Sequence, residues 1–207
     1  MIKNVIFDFG QVMIQYKPHL MADKYIDDDA DRELIYEVVF DRKYWDPLDD
    51  GSITDEEIIE DCKRRLPERL HEVLPRIYWN WVYNLPHTRG MTELVSELRS
   101  RYGVRVFLLS NISSYFASHA DELPVTHLFE RCFYSSPLGM IKPSADIFRY
   151  VLTECGLAAE ETLFVDDSEK NVRGAEAVGI SGYLFDGDAD KLRDYIIPRL
   201  GGNDDTH

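Results

Sequence analysis

Long apolar runs are missing from this chain of 207 residues. Its hydrophobic content is 44%, yet no stretch approaches the length of a membrane span. The first eight residues are too short and too soon acidic to read as a signal peptide, so the expectation is a soluble, cytoplasmic protein. Cysteine is scarce: Cys62, Cys132 and Cys155 are far apart and form no CxxC or Cys/His spacing, which argues against a zinc site or a disulfide framework. The histidines (His19, His71, His87, His119, His127, His207) show no metal-ligand spacing either. Positive charge is also short, with 23 Lys and Arg against 38 Asp and Glu and a net charge of −15. A chain this acidic repels nucleic acid backbones and anionic membranes, so neither is expected as a partner. For the same reason a small anionic substrate would need local positive charge or a metal. No Gly-x-Gly-x-x-Gly follows a strand and no Gly-x-Ser-x-Gly occurs, which removes a dinucleotide site and a serine-hydrolase elbow. The sequon Asn111-Ile112-Ser113 has no export signal beside it and reads as accidental. Repeats and low-complexity tracts are absent, and nothing in the sequence speaks to oligomeric state.

What is present is an alternation of short apolar strands with helical periods. Lys3 to Asp8 reads as a buried strand ended by a tight turn. Residues 17–86 change character: acid is concentrated between Asp23 and Asp61, and Leu20–Ile26, Leu34–Phe40, Ile58–Leu66 and Leu70–Tyr83 have helical periods without a convincing strand. Asp49-Asp50-Gly51-Ser52 reads as a turn, and Thr54 with Glu57 forms a capping box for the third period. After Pro86, Met91, Leu94, Val95 and Leu98 share one helical face that Gly103 closes. Val104–Leu109, Arg131–Ser135, Thr162–Val165 and Ser181–Phe185 follow as strands. Helices are expected over Ser113–His119, Ser144–Cys155, Asn171–Val178 and Ala189–Leu200. The expected architecture is an α/β fold, with a Rossmann-like doubly wound parallel sheet over 1–16 and 87–200, a helical domain inserted over 17–86, and a disordered tail over 201–207.

In such sheets the working residues gather beyond the carboxyl ends of the strands. Three apolar runs end there in polar residues: Asp8, Ser110-Asn111 and Asp166-Asp167. Carboxylates brought that close cannot all stay ionised without a counter-charge, and a hard divalent cation such as Mg²⁺ with oxygen ligands answers that need. Alone, Lys142 would read as a surface lysine. Beside these acids, in the loop Gly139-Met140-Ile141-Lys142-Pro143, it reads as a compact positive charge. Ser110 and Asn111 offer a hydroxyl, an amide and backbone N–H groups for phosphate oxygens. The set suits a site that holds a phosphate, presents a carboxylate in line with it and neutralises charge during transfer.

Four short motifs in order carry a resemblance: Phe7-Asp8-Phe9-Gly10-Gln11-Val12, Leu109-Ser110-Asn111, Lys142-Pro143 and Phe164-Val165-Asp166-Asp167-Ser168. Over about residues 1–200 the chain resembles the haloacid dehalogenase superfamily, in its branch with a small helical cap after the first strand. Within it, the chain looks most like the sugar phosphatases related to glucose-1-phosphate phosphatase. The resemblance implies a Mg²⁺-dependent phosphatase of small phosphorylated metabolites. It makes Asp8 the nucleophile that becomes an aspartyl-phosphate, Ser110 and the backbone of Asn111 the phosphoryl binders, and Lys142 the bridge between phosphate and nucleophile. Asp8, the Gly10 carbonyl and Asp167 become metal ligands, with Asp166 beside them directly or through water. The cap over 17–86 becomes the substrate selector, with Tyr44, Trp45 and Asp46 as possible contacts. Tyr78, Trp79, Trp81 and Tyr83 read as cap core.

One position departs from that pattern. Most phosphatases of the superfamily carry a second Asp two residues after the nucleophile, where this chain has Gly10. Gln11 is no substitute, since an amide does not exchange a proton near neutral pH. General acid–base help is worth ~10²–10⁴ in rate. The open alternatives are a phosphatase served by a cap residue or water, a catalytically silent binding protein, and a haloacid dehalogenase. The last has no use for the Asp166-Asp167 pair.

Overall fold

The computed structural model describes residues 1–17 and 19–201. In chain order the elements are β1 (Asn4–Phe7), α1 (His19–Asp23), α2 (Asp29–Val39), α3 (Trp45–Asp49), α4 (Asp55–Arg65), α5 (Leu74–Asn80) and α6 (Met91–Tyr102). They continue as β2 (Arg105–Ser110), α7 (Ser114–His119), β3 (Arg131–Tyr134), α8 (Ser135–Leu138), α9 (Ala145–Cys155), β4 (Thr162–Asp166), α10 (Glu169–Glu176), β5 (Ser181–Leu184) and α11 (Ala189–Ile196). The five strands form one parallel sheet in the order β3-β2-β1-β4-β5. The doubly wound sheet expected from the sequence is therefore present. The tail expected at 201–207 lies outside the described residues beyond Gly201.

Side-chain alternation along the strands divides the core in two. Val5, Phe7, Val106, Leu108, Leu163 and Val165 face one side, where Met91, Leu94, Val95 and Leu98 of α6 and Leu192 and Ile196 of α11 cover them. Ile6, Phe107, Leu109, Phe133 and Phe164 face the other, against Ile147, Phe148 and Val151 of α9 and Ala175 of α10. Helix ends follow the sequence signals closely. Gly103 and Gly156 close α6 and α9 in the left-handed conformation, and the Thr54–Glu57 capping box opens α4.

Two long helical periods are broken where the sequence reading ran them through. Leu70–Tyr83 splits into a 3₁₀ turn over Glu68–Leu70, then α5, then a second 3₁₀ turn over Trp81–Asn84. Pro75 sits in the first turn of α5, where its missing N–H costs no intrahelical bond and proline favours a helix start. Ala189–Leu200 leaves α geometry at Ile197, beside Pro198, and ends as a 3₁₀ turn.

The segment between β1 and α6 leaves and re-enters the sheet at one place. Gln15 N donates to Pro86 O at 2.8 Å and Thr88 N donates to Met13 O at 2.9 Å, so the two connections run side by side. The helical segment then docks on the sheet's carboxyl end through aromatic contacts. Trp79 packs on Tyr115 with ring centroids 4.2 Å apart, Trp81 lies over Phe116 at 6.2 Å, and Tyr83 Oη donates to Glu122 at 2.8 Å. These rings join the insertion to α7 and its neighbours, a correction to their reading as interior core of the insertion. The sequence signal for that was weak, because aromatic spacing does not say which surface a short helix meets.

One close approach fixes the loop before α9. A Cβ added at Gly174 would stand 2.4 Å from the carbonyl oxygen and 2.8 Å from Cβ of Pro143. Gly174→Ala is expected to lower stability by about 1–3 kcal/mol through overpacking. Urea unfolding measures it, and an unchanged midpoint would show that the Pro143 loop yields freely.

Candidate active site

β1, β2 and β4 are adjacent, and their registers align Phe7 with Leu108 and with Val165. Each chain therefore leaves the sheet at the same level, which brings Asp8, Ser110 and Asp166-Asp167 to one edge. Asp8 and Asp166 are buried, Asp167 is exposed, and carboxylate oxygens of the three lie within 4.8 Å of one another. Among the described residues this is the one cluster of His, Cys, Asp or Glu spaced to hold a metal ion.

Lys142 enters from the loop before α9. It is no surface lysine: only 2% of it is exposed. Its Nζ donates to Asp8 Oδ1 at 2.6 Å and to Asp166 Oδ2 at 2.8 Å. Burial works against its charge, but the two carboxylates outweigh that and hold its pKa above the ordinary lysine value. Burial likewise pushes Asp8 up from its ordinary 3.8 to about 7, with Asp166 adding to the rise and Lys142 opposing it. Asp167 is raised by burial and by the neighbouring Asp166.

The acids divide by what surrounds them. Asp166 has both oxygens engaged: Ser168 N donates to Oδ1 at 2.8 Å, and Asn171 Nδ2 reaches both oxygens at 3.1 Å. Asn171 was not singled out from sequence. Its signal is an amide in the first turns of the helix that follows the acid pair. Asp167, by contrast, faces outward beside the cluster.

The second strand end behaves differently from expectation in one respect. Ser110 is 2% exposed, and its Oγ makes only a 3.5 Å contact with Asn111 O, which leaves the hydroxyl available to an incoming oxygen. The Asn111 amide, however, is committed to Lys142. Asn111 Nδ2 donates to Lys142 O at 3.0 Å, and Lys142 N donates to Asn111 Oδ1 at 2.9 Å. The side chain clamps the lysine loop instead of facing a ligand, a correction to its expected use as a phosphate contact.

The turn after Asp8 also differs. The left-handed residue is Gln11, with φ 57°, and no such conformation occurs at Gly10. Gln11 Oε1 accepts from Tyr16 N at 2.8 Å, which holds the turn. A Cβ added at Gly10 would meet nothing within 4 Å. Neither backbone nor space requires glycine there.

Of the contacts expected from the insertion, Tyr44 needs correction. Tyr44 is buried, and its hydroxyl donates to Asp61 and accepts from Arg65 Nη1 at 2.8 Å, so it belongs to a polar cluster inside the insertion. Trp45 stands edge-on to Tyr16, with centroids 4.8 Å apart, and Asp46 is exposed. Asp49, at the end of the same short helix, comes within range of the Lys142 charge, as Arg42 does of Asp167. Ser135 Oγ donates to Asp49 O at 2.7 Å and accepts from Ile112 N at 2.9 Å, tying α3 to the loop after Ser110.

In metal-free protein, Lys142→Met leaves Asp8 and Asp166 facing each other without a cation. The expected loss is about 3–5 kcal/mol at pH 8, read by urea unfolding in EDTA. Asp8 holds its proton more tightly folded (about 7) than unfolded (3.8), so the folded state binds more protons and stability falls as pH rises through that window. Removing the lysine deepens the fall, and an equal loss at pH 5 and pH 8 would contradict it.

A family model described as a haloacid dehalogenase-like hydrolase matches residues 2–179. The chain is 29% identical over 188 residues to a sesquiterpene phosphatase of Aspergillus oryzae, across 87% of this chain and 88% of that protein. It is 25% identical over 207 residues to a D-ribitol-5-phosphate phosphatase of Bacteroides thetaiotaomicron, across 95% and 98%. Among solved structures, a family enzyme of B. thetaiotaomicron, an aspartate-to-alanine variant in complex with magnesium and inorganic phosphate, superposes with a TM-score of 0.72. It covers 93% of this chain and 99% of its own at 23% identity, a likeness of fold.

Proposed function

The chain belongs to the haloacid dehalogenase-like hydrolase family, and on that premise we propose that it is a Mg²⁺-dependent phosphatase of small phosphomonoesters. The observation that carries this reading is the Lys142 ammonium bonded to Asp8 while Asp167 stands beside them. A nucleophilic carboxylate, a cation for the phosphoryl charge and an outward hard-oxygen donor are the parts that phosphoryl transfer to a carboxylate needs. Displacement of a halide from carbon would leave the Asp166-Asp167 pair without a purpose. The phosphatase names of the two relatives support the class; a sugar phosphate as substrate remains part of the proposal.

The donors suit Mg²⁺, since hard oxygens are its preferred ligands. Asp8, Asp167 and the Gly10 carbonyl would hold it, with Asp166 acting through water because both of its oxygens are already hydrogen-bonded. When bound, the ion would neutralise negative charge on the phosphoryl oxygens. The chain's own residues do the rest. Lys142 keeps the Asp8 carboxylate aimed and supplies positive charge. The Ser110 hydroxyl and the Asn111 backbone N–H receive phosphoryl oxygens. An Asp8 oxygen attacks phosphorus as the ester oxygen leaves, and water then releases phosphate from Asp8. The insertion over 17–86, docked by Trp79, Trp81 and Tyr83, serves as a cap that shields the site and selects the substrate.

Phosphate release from p-nitrophenyl phosphate and ribitol 5-phosphate is expected with Mg²⁺, to disappear in EDTA, and to fall at least about 10³-fold in Asp8→Asn. EDTA-resistant turnover of 2-chloropropionate would make the protein a dehalogenase. Mg²⁺ binding without turnover of any phosphoester would make it a silent binder.

A further inference from the structure

The missing side chain at Gly10 leaves the departing oxygen without a proton donor from the β1 turn. The insertion carries another carboxyl close to the site. Asp49 ends α3, and α3 packs on α8. Ser135, the first residue of α8, holds the Asp49 carbonyl with the same hydroxyl that receives Ile112 N, two residues after Ser110. Gly51 packs against the next residue, where a Cβ would stand 3.0 Å from Ser136 Oγ. The end of α3 is thus pinned to the loop that follows Ser110, and the half-buried Asp49 carboxylate comes within range of the Lys142 charge.

We propose that Asp49 is the catalytic acid and base of this site, a role that rests on the phosphatase reading above. As an Asp8 oxygen bonds to phosphorus and the bond from phosphorus to the ester oxygen breaks, the Asp49 carboxylic acid gives its proton to that oxygen and an alcohol departs. The Asp49 carboxylate then takes a proton from water, whose oxygen bonds to phosphorus while the bond to Asp8 breaks. Inorganic phosphate, ionised Asp8 and protonated Asp49 result, so the cycle closes with no further reactant than water.

The neighbouring acids fit the part less well. Asp50 is occupied by Ser52 N at 2.8 Å, and its pKa is lowered by Ser52, which keeps it ionised. Asp46 is exposed to solvent. The charged groups that face Asp49 are Lys142, Asp46, Asp50 and Lys170. Burial raises its pKa to about 7, with Lys142 and Lys170 opposing and the two acids adding. A carboxyl poised there can both give and take a proton near neutral pH.

The leaving group separates this role from a structural one. p-Nitrophenolate departs without a proton, whereas the ribitol alkoxide needs one. In Asp49→Asn the first-turnover release of p-nitrophenol should stay within a few-fold of wild type, while kcat on ribitol 5-phosphate falls ~10²–10⁴-fold. Gly10→Asp added to Asp49→Asn should restore at least about tenfold on ribitol 5-phosphate, because position 10 has room for the side chain. The unsubstituted protein gives a check that needs no variant. Its kcat/KM for ribitol 5-phosphate should fall about tenfold per pH unit above roughly 7. A profile flat to about pH 9 overturns the assignment. So does an Asp49→Asn protein that retains wild-type kcat on ribitol 5-phosphate, or one that loses both substrates equally in the first turnover. In those cases wild-type phosphatase activity still stands; if wild type hydrolyses neither ester, the phosphatase reading falls and this role falls with it.

Discussion

Everything at the sheet's carboxyl edge depends on one buried cation. The Lys142 ammonium lies between Asp8 and Asp166 at 2.6 and 2.8 Å, with almost no solvent access. At an effective dielectric near 20, a unit-charge pair 4 Å apart gains about 4 kcal/mol, and burying each ion costs several kcal/mol. The arrangement is therefore close to break-even for stability. Its physical consequence is order: two carboxylates that would repel each other are held at fixed positions, and of the two only Asp8 keeps slight solvent access. The surroundings are built to keep the lysine there. Asn111 grips its backbone from β2, Gly174 lets α10 approach Pro143, and Asn171 holds Asp166 from the far side.

The sheet and the meeting of its strand ends were legible in the sequence because they rest on local chemistry. A buried strand needs a run of apolar residues, and a glycine in the left-handed conformation closes a helix, as at Gly103 and Gly156. Asp8, Asp166 and Asp167 came together as read because parallel strands in register leave the sheet at one level, and Lys142 reaches them from the loop before α9. Short elements were less visible. α3, α8 and the 3₁₀ turns at Glu68–Leu70 and Trp81–Asn84 span too few residues to display a period.

Side-chain direction was the part that sequence withheld. Asn111 was placed correctly at the strand end, but its amide turns to the Lys142 backbone, where two complementary hydrogen bonds outcompete solvent. Tyr44 sits one residue before α3, yet its hydroxyl turns into the Asp61–Arg65 cluster, while Asp49 at the helix's other end approaches the site. Over a helix of five residues, a one-residue shift changes direction by about 100°. No pattern of residue types resolves which end faces the lysine.

Gly10 and Asp49 together change where the proton comes from, and the change has a physical consequence. A donor two residues after the nucleophile would ride on the β1 turn and stay in the site however the insertion lies. A donor at the end of α3 is in the site only while α3 packs on α8 and Ser135 bridges Asp49 to Ile112. The same seating sets Trp79 against Tyr115. Acid catalysis then depends on how the insertion is seated. Residues that hold the insertion on α7 should influence proton transfer without touching the substrate, because the carboxyl that performs it arrives with the insertion.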